Sequence, residues 1–87
     1  MQKEVTIQMS NSMEATPIAH LVQLANRFSS SIYFEMDEKK VNAKSIMGMM
    51  TFISIMNKAS AAREKIDIKI NGADEGEAMD AITAFFS

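Results

Sequence analysis

Four stretches of this chain alternate apolar and polar residues with a period of two, and no other feature of the sequence restricts the fold as strongly. Residues 3–9 place Val5, Ile7 and Met9 on one side and Glu4, Thr6 and Gln8 on the other. Ile32, Phe34 and Met36 alternate with Tyr33, Glu35 and Asp37, and Ile66, Ile68 and Ile70 alternate with Asp67 and Lys69. After the charged turn Asp37-Glu38-Lys39, a short segment through Val41 and Ala43 can pair back as a hairpin. Successive side chains of a strand point to opposite faces, so strands like these build a sheet with one apolar and one wet face. Such a sheet needs cover on one side only.

The segments between the strands supply that cover. Thr16-Pro17 reads as an N-cap followed by a proline at the first helical position, where its missing amide costs nothing. Ile18, Leu21, Val22, Ala25 and Phe28 recur at helical spacing, with His20, Gln23 and Arg27 on the opposite face and Ser29-Ser30 closing the segment. A second helix follows from Ser45, its apolar pattern running through Ile53 and Met56. Residues 57–64 are rich in helix formers without an apolar stripe, which leaves a prolonged helix and a solvated loop both open. Asn71-Gly72 closes the last strand, and Asp74 with Glu77 resembles a capping arrangement for a final helix carrying Met79, Ile82, Phe85 and Phe86. The order is βαββαβα, a two-layer α+β open sandwich with three helices on the apolar face.

Composition narrows the function classes. A chain of 87 residues makes one small domain, 1–87, and 47 % apolar with 23 % charged residues is the balance of a packed globular protein. The absence of cysteine excludes disulfides, thiolate metal sites and a cysteine nucleophile. A formal charge of -2 argues against phosphate-backbone binding, so no nucleic acid is expected as a direct partner. The start is not a signal-peptide core and no apolar run is long enough to span a bilayer, so a cytoplasmic protein without a membrane partner is expected. Asp, Glu and His show no metal-ligand spacing, and no Gly-rich phosphate loop appears. Neither cofactor nor metal is implied.

The segment that carries candidate chemistry is Asn42-Ala43-Lys44-Ser45-Ile46-Met47-Gly48-Met49-Met50. Ser45 precedes an apolar helical run and reads as its N-cap. Methionines beside a glycine make an adaptable, closely approachable docking surface, with Ser45 at its rim.

With these residues in place, the chain resembles the HPr family, the small phosphocarriers of the bacterial sugar phosphotransferase system. The likeness is carried by the strand to Met9, by Pro17-Ile18-Ala19-His20-Leu21-Val22-Gln23 with Ala25-Asn26-Arg27-Phe28, by Lys40-Val41-Asn42-Ala43-Lys44-Ser45-Ile46-Met47-Gly48, and by Gly72-Ala73-Asp74-Glu75. It implies a four-stranded antiparallel sheet of order 1-4-2-3 under three helices, and two phosphorylation sites. The family's carrier site is a histidine followed closely by an arginine and then a proline. Here that run is Met13-Glu14-Ala15-Thr16-Pro17, so Glu14 holds the histidine position and Thr16 the arginine position. A carrier needs a nucleophilic imidazole and an arginine fork for the transferring phosphoryl group. Both are missing, and His20, one turn into the helix on its polar face, reads as a solvated residue rather than a replacement. No catalytic residue and no enzyme activity are expected. Glu14 is open to two readings, a loop acid near a helix start or an imitation of a phosphorylated carrier site.

The second family site survives at Ser45. The resemblance, closest to the catabolite-repression HPr-like (Crh) subgroup, implies phosphorylation there by an ATP-dependent HPr kinase/phosphorylase. The phosphoprotein then binds a catabolite-control transcription regulator or a metabolic enzyme. Thr16, Ile46, Met47, Gly48 and Met50 are the implied docking positions. That subgroup usually keeps the arginine that Thr16 replaces, and residues 51–65 are a few residues longer than is usual. A binding module that needs no phosphorylation, and a phosphocarrier that has lost its carrier activity, are the alternative readings.

Overall fold

A computed structural model describes residues 1–6, 15–62 and 64–86. Seven elements follow in order: β1 (Gln2–Thr6), α1 (Ala15–Ala25), β2 (Ser31–Met36), β3 (Lys39–Asn42), α2 (Ile46–Ala62), β4 (Lys65–Asn71) and α3 (Glu75–Phe85). The four strands form one sheet of order β1-β4-β2-β3, every neighbouring pair antiparallel. The order and topology match the expectation; the part of the first alternating stretch beyond Thr6 lies outside the described residues.

Register explains the two faces. Ile66, Ile68 and Ile70 of β4 and Ile32, Phe34 and Met36 of β2 are buried on one side of the sheet. Leu21, Ala25, Met49, Phe52, Met56, Ala78 and Ile82 of the helices join them in one core. The opposite face carries a row of acids, since Glu4 pairs with Asp67 and Asp67 with Glu35. Cations offset that row: Lys69 Nζ lies 2.6 Å from Glu35 Oε2, and Lys40, opposite Glu35, sits 4.5 Å over the Tyr33 ring. The hydrogen bond from Lys69 holds the Glu35 carboxyl below the usual range and raises the Lys69 ammonium above its own.

Helix boundaries depart from the expectation in instructive ways. The first helix already includes Thr16 and Pro17, so Thr16 is a first-turn residue rather than the cap. Pro17 is tolerated there because the first amides of a helix have no intrahelical partner. At the other end α1 stops at Ala25, before Ser29-Ser30: Arg27 N–H donates to Leu24 O at 3.1 Å and Phe28 N–H to Ala25 O at 3.3 Å, a tightened last turn. Residues 57–62 continue α2, which decides the open question in favour of helix.

The β2–β3 hairpin closes on Asp37 and Glu38, with φ of 52° and 65°. Both lie in the left-handed region, as a two-residue turn matching the strand twist requires. Asp74 departs further. It occupies the N-cap position of α3 but makes no side-chain cap bond. Instead its carboxylate accepts from the backbone N–H groups of Ser29 at 2.9 Å and Ser30 at 3.0 Å, and from the Ser30 hydroxyl. The expected capping arrangement with Glu77 is therefore corrected, because those inter-segment donors compete successfully for the same oxygens. Gly72 is needed beside them: with φ of 154°, a Cβ there would lie 2.4 Å from Ser30 Oγ.

Candidate functional site at the start of the second helix

Ser45 is held by a short framework drawn from three elements. Its own N–H donates to Asn42 O at 3.0 Å, and the Asn42 side chain accepts the Lys44 N–H at 2.9 Å. One residue earlier in this turn, Ala43 N–H donates to Ile32 O at 2.9 Å, which extends the sheet ladder by one bond. Just past the end of α1, Asn26 Nδ2 donates both to Val22 O of that helix at 2.8 Å and to Lys44 O at 3.2 Å. The start of α2 is thereby fixed against both the sheet and the end of α1.

Within that framework Ser45 caps the helix. Gly48 N–H donates to Ser45 Oγ at 3.2 Å, and Met49 N–H donates to Ser45 O at 2.9 Å. The hydroxyl thus satisfies an amide that the helix itself leaves free, as the sequence led one to expect. Gly48 admits the close approach of α2 to the sheet edge, since a Cβ at this position would lie 2.8 Å from Val41 Cγ2. A helical serine-glycine spacing here serves both the cap and the packing.

The four methionine-run side chains divide sharply by exposure. Met47 is 80 % exposed, Ile46 44 % and Met50 42 %, whereas Met49 is fully buried. Three of the expected docking positions, Ile46, Met47 and Met50, thus face solvent together beside Ser45, and Gly48 lies half-buried between them and Val41. Met49, within the same methionine run, belongs to the core: a 100° step per residue turns it away from Met47 and Met50. Met36 and Met79 are buried as expected.

Other predicted positions fall elsewhere. Glu14 lies outside the described residues. Thr16 is placed by its backbone in the first turn of α1. His20 is exposed on α1. Two residues matter more than the sequence reading allowed. Asn26 ties α1 to Lys44, and Lys44 Nζ donates to Phe28 O at 2.7 Å, at the carbonyl end of α1 where a cation is favoured. Their place in the quoted segments was the available signal; their bonds span 18 and 16 residues and follow no local spacing.

An open groove of about 470 Å³ runs between β3 and α2, lined by Val41, Gly48, Thr51, Phe52 and Ile55 with Lys39 at its rim. Among the described residues no group of His, Asp and Glu is arranged to hold a metal ion, and no helix is long and apolar enough to cross a membrane.

This geometry defines a class: a small open-faced sandwich whose most distinctive surface is a serine-capped helix start with an exposed apolar turn. A family model described as the PTS HPr component phosphorylation site matches residues 1–87. The HPr-like protein Crh of Halalkalibacterium halodurans is 44 % identical over 84 residues, 97 % of this chain and 93 % of the relative. The HPr-like protein Crh of Bacillus subtilis is 38 % identical over 84 residues, 97 % of this chain and 92 % of the relative. The crystal structure of a phosphocarrier protein HPr from Bacillus anthracis superposes with a TM-score of 0.84 at 40 % identity, covering 100 % of this chain and 96 % of that one. The chain belongs to the HPr family and is Crh-like, an HPr-like protein of the phosphotransferase-system and catabolite-repression type.

Proposed function

We propose that this chain is a non-carrier regulatory domain, 1–87, in which phosphorylation of Ser45 switches docking on the Ile46, Met47 and Met50 face. The observation that carries this reading is the capping serine set beside a solvent-facing apolar turn. By analogy with the family, the modifying enzyme is HPr kinase/phosphorylase, acting in the cytoplasm. The partner is a catabolite-control transcription regulator or a metabolic enzyme.

The local physics supports the switch. A phosphate on Ser45 Oγ stands at a helix N-terminus, where backbone amides and the positive end of the dipole favour negative charge. It adds charge at the rim of the apolar turn without entering the core. A partner then reads the phosphate with its own Arg or Lys while packing on Met47 and Met50.

Incubation with ATP and HPr kinase tests this directly. Mass spectrometry is expected to find one phosphate, on Ser45; an unmodified chain, alongside a control HPr that is fully modified, removes the reading. The existing cap bond from Gly48 supports a second reading, a binding module that needs no phosphorylation, since capping alone accounts for the serine. Under that reading a Ser45→Ala variant keeps its partner.

A further inference from the structure

The methionines of this chain differ in one property that the docking reading leaves unused, their exposure to solvent. Met47 is 80 % exposed and Met50 42 %, whereas Met49 and Met56 on the same helix are fully buried, and Met36 and Met79 nearly so. Thioether oxidation follows access, and its product replaces a soft apolar side chain with a polar sulfoxide. The two exposed methionines of α2 fall on its first two turns, flanking Gly48, whose amide donates to Ser45. Met1 is exposed as well, but its amino group is bonded to Ile70 and Glu75, so it belongs to a different surface.

We propose that Met47 and Met50 are sites of reversible oxidation by hydroperoxides, and that sulfoxide at these positions turns off docking on the start of α2. The second half rests on the docking reading of that face. In the chemical step the sulfur lone pair attacks one oxygen of the hydroperoxide. An S–O bond forms as the O–O bond breaks, and the departing oxygen leaves as water or an alcohol once it has taken the hydroxyl proton. Sulfur is oxidised and the peroxide reduced by the same electron pair. Reversal by a methionine sulfoxide reductase consumes two thiols, releasing water and a disulfide.

The sulfoxide matters because of where it sits. An apolar contact on Met47 or Met50 must strip water from the new S=O oxygen, and a polar group buried without a partner is strongly disfavoured. Core methionines serve as the internal reference: oxidation of Met49 or Met56 requires the fold to open first, so it lags behind Met47 as long as the native state persists.

The test exposes the folded chain to dilute hydrogen peroxide and maps the peptide between Lys44 and Lys58, which holds Met47, Met49, Met50 and Met56 together. Met47 is expected to oxidise first, Met50 next, and Met49 and Met56 at least about tenfold more slowly. Equal rates at Met47 and Met49 overturn the site assignment. The oxidised and untreated chains are then compared as substrates of HPr kinase with ATP. A rate lowered by about tenfold, restored by sulfoxide reductase and a thiol, supports the switch; an unchanged rate overturns it. In the Met47→Leu/Met50→Leu variant, whatever its starting rate, the ratio of treated to untreated rate is expected to stay near unity. A ratio as low as that of the parent chain places the sensitivity elsewhere and overturns the switch. An untreated chain that the kinase does not modify counts against the docking reading instead. The oxidation order is read by peptide mapping without any partner.

Discussion

Gly48 and Val41 approach so closely that a methyl group on the glycine would lie 2.8 Å from the valine Cγ2. Two effects of opposite sign therefore meet at this position. Alanine stabilises a helix interior relative to glycine by about 0.5–1 kcal/mol, whereas overpacking costs about 1–3 kcal/mol. Val41 is β-branched and half-buried, so its methyl has little room to give way. Gly48→Ala is expected to lower stability by about 1 kcal/mol, measured by urea unfolding. In a Val41→Ala background the same change becomes neutral or stabilising; a loss that persists there shows that the contact is not the cause.

Ser45→Ala removes the cap on the Gly48 amide and is expected to cost about 1 kcal/mol. Ser45→Asp keeps an acceptor at the N-cap and adds a charge that the helix dipole favours. Its urea midpoint is expected to lie above that of Ser45→Ala and close to that of the parent chain. An aspartate variant no more stable than the alanine variant argues against a charge-tolerant helix start.

Met47 and Met49 are two residues apart and are expected to answer truncation in opposite ways. Met49→Ala opens a cavity in the core and costs about 2–5 kcal/mol. Met47→Ala, at a solvent-facing position, stays within about 0.5 kcal/mol of the parent. Thermal unfolding of the pair separates surface from core without any partner.

Asp74 gives the protein an acid-sensitive clasp. Hydrogen bonds from the Ser30 hydroxyl first, and from the Ser29 and Ser30 amides, hold its carboxyl at about 2, below the ordinary 3.8. A depressed folded value means that the contribution is complete above the unfolded value of 3.8 and is lost as the pH falls toward about 2. The unfolding midpoint is expected to drop across that window, and Asp74→Asn to flatten the drop while lowering stability at neutral pH. Identical acid profiles for the two proteins exclude the clasp as its source.

With phosphoenolpyruvate and the general phosphotransferase enzyme, the parent chain is expected to remain unlabelled, because Glu14 and Thr16 provide neither imidazole nor guanidinium. Glu14→His combined with Thr16→Arg is expected to take up an acid-labile label faster than Glu14→His alone. Stoichiometric acid-labile labelling of the parent chain overturns the non-carrier reading.

The fold was legible in the sequence because its elements are written in local periods. Alternation at Ile66, Ile68 and Ile70, and helical recurrence at Ile18, Leu21, Val22 and Ala25, each report a buried face over a few residues. The serine cap was legible for the same reason, since donor and acceptor lie three residues apart. The role of Asp74 and the placement of Met49 were less so. Each depends on what another segment presents: the Ser29 and Ser30 donors draw Asp74 away from its helix, and the core draws Met49 away from its neighbours.

By itself, then, the sequence determined the order of strands and helices, the single apolar face of the sheet and the serine at the start of α2. Only the tertiary structure decided that Met49 is fully buried between exposed neighbours, that Lys44 is tied to Phe28 O, and that a side chain on Gly48 would crowd Val41. The reason is one of range. Periodicity and capping act within a turn or a strand, whereas exposure and side-chain partnership arise where segments far apart in the chain compete for the same space and the same hydrogen bonds.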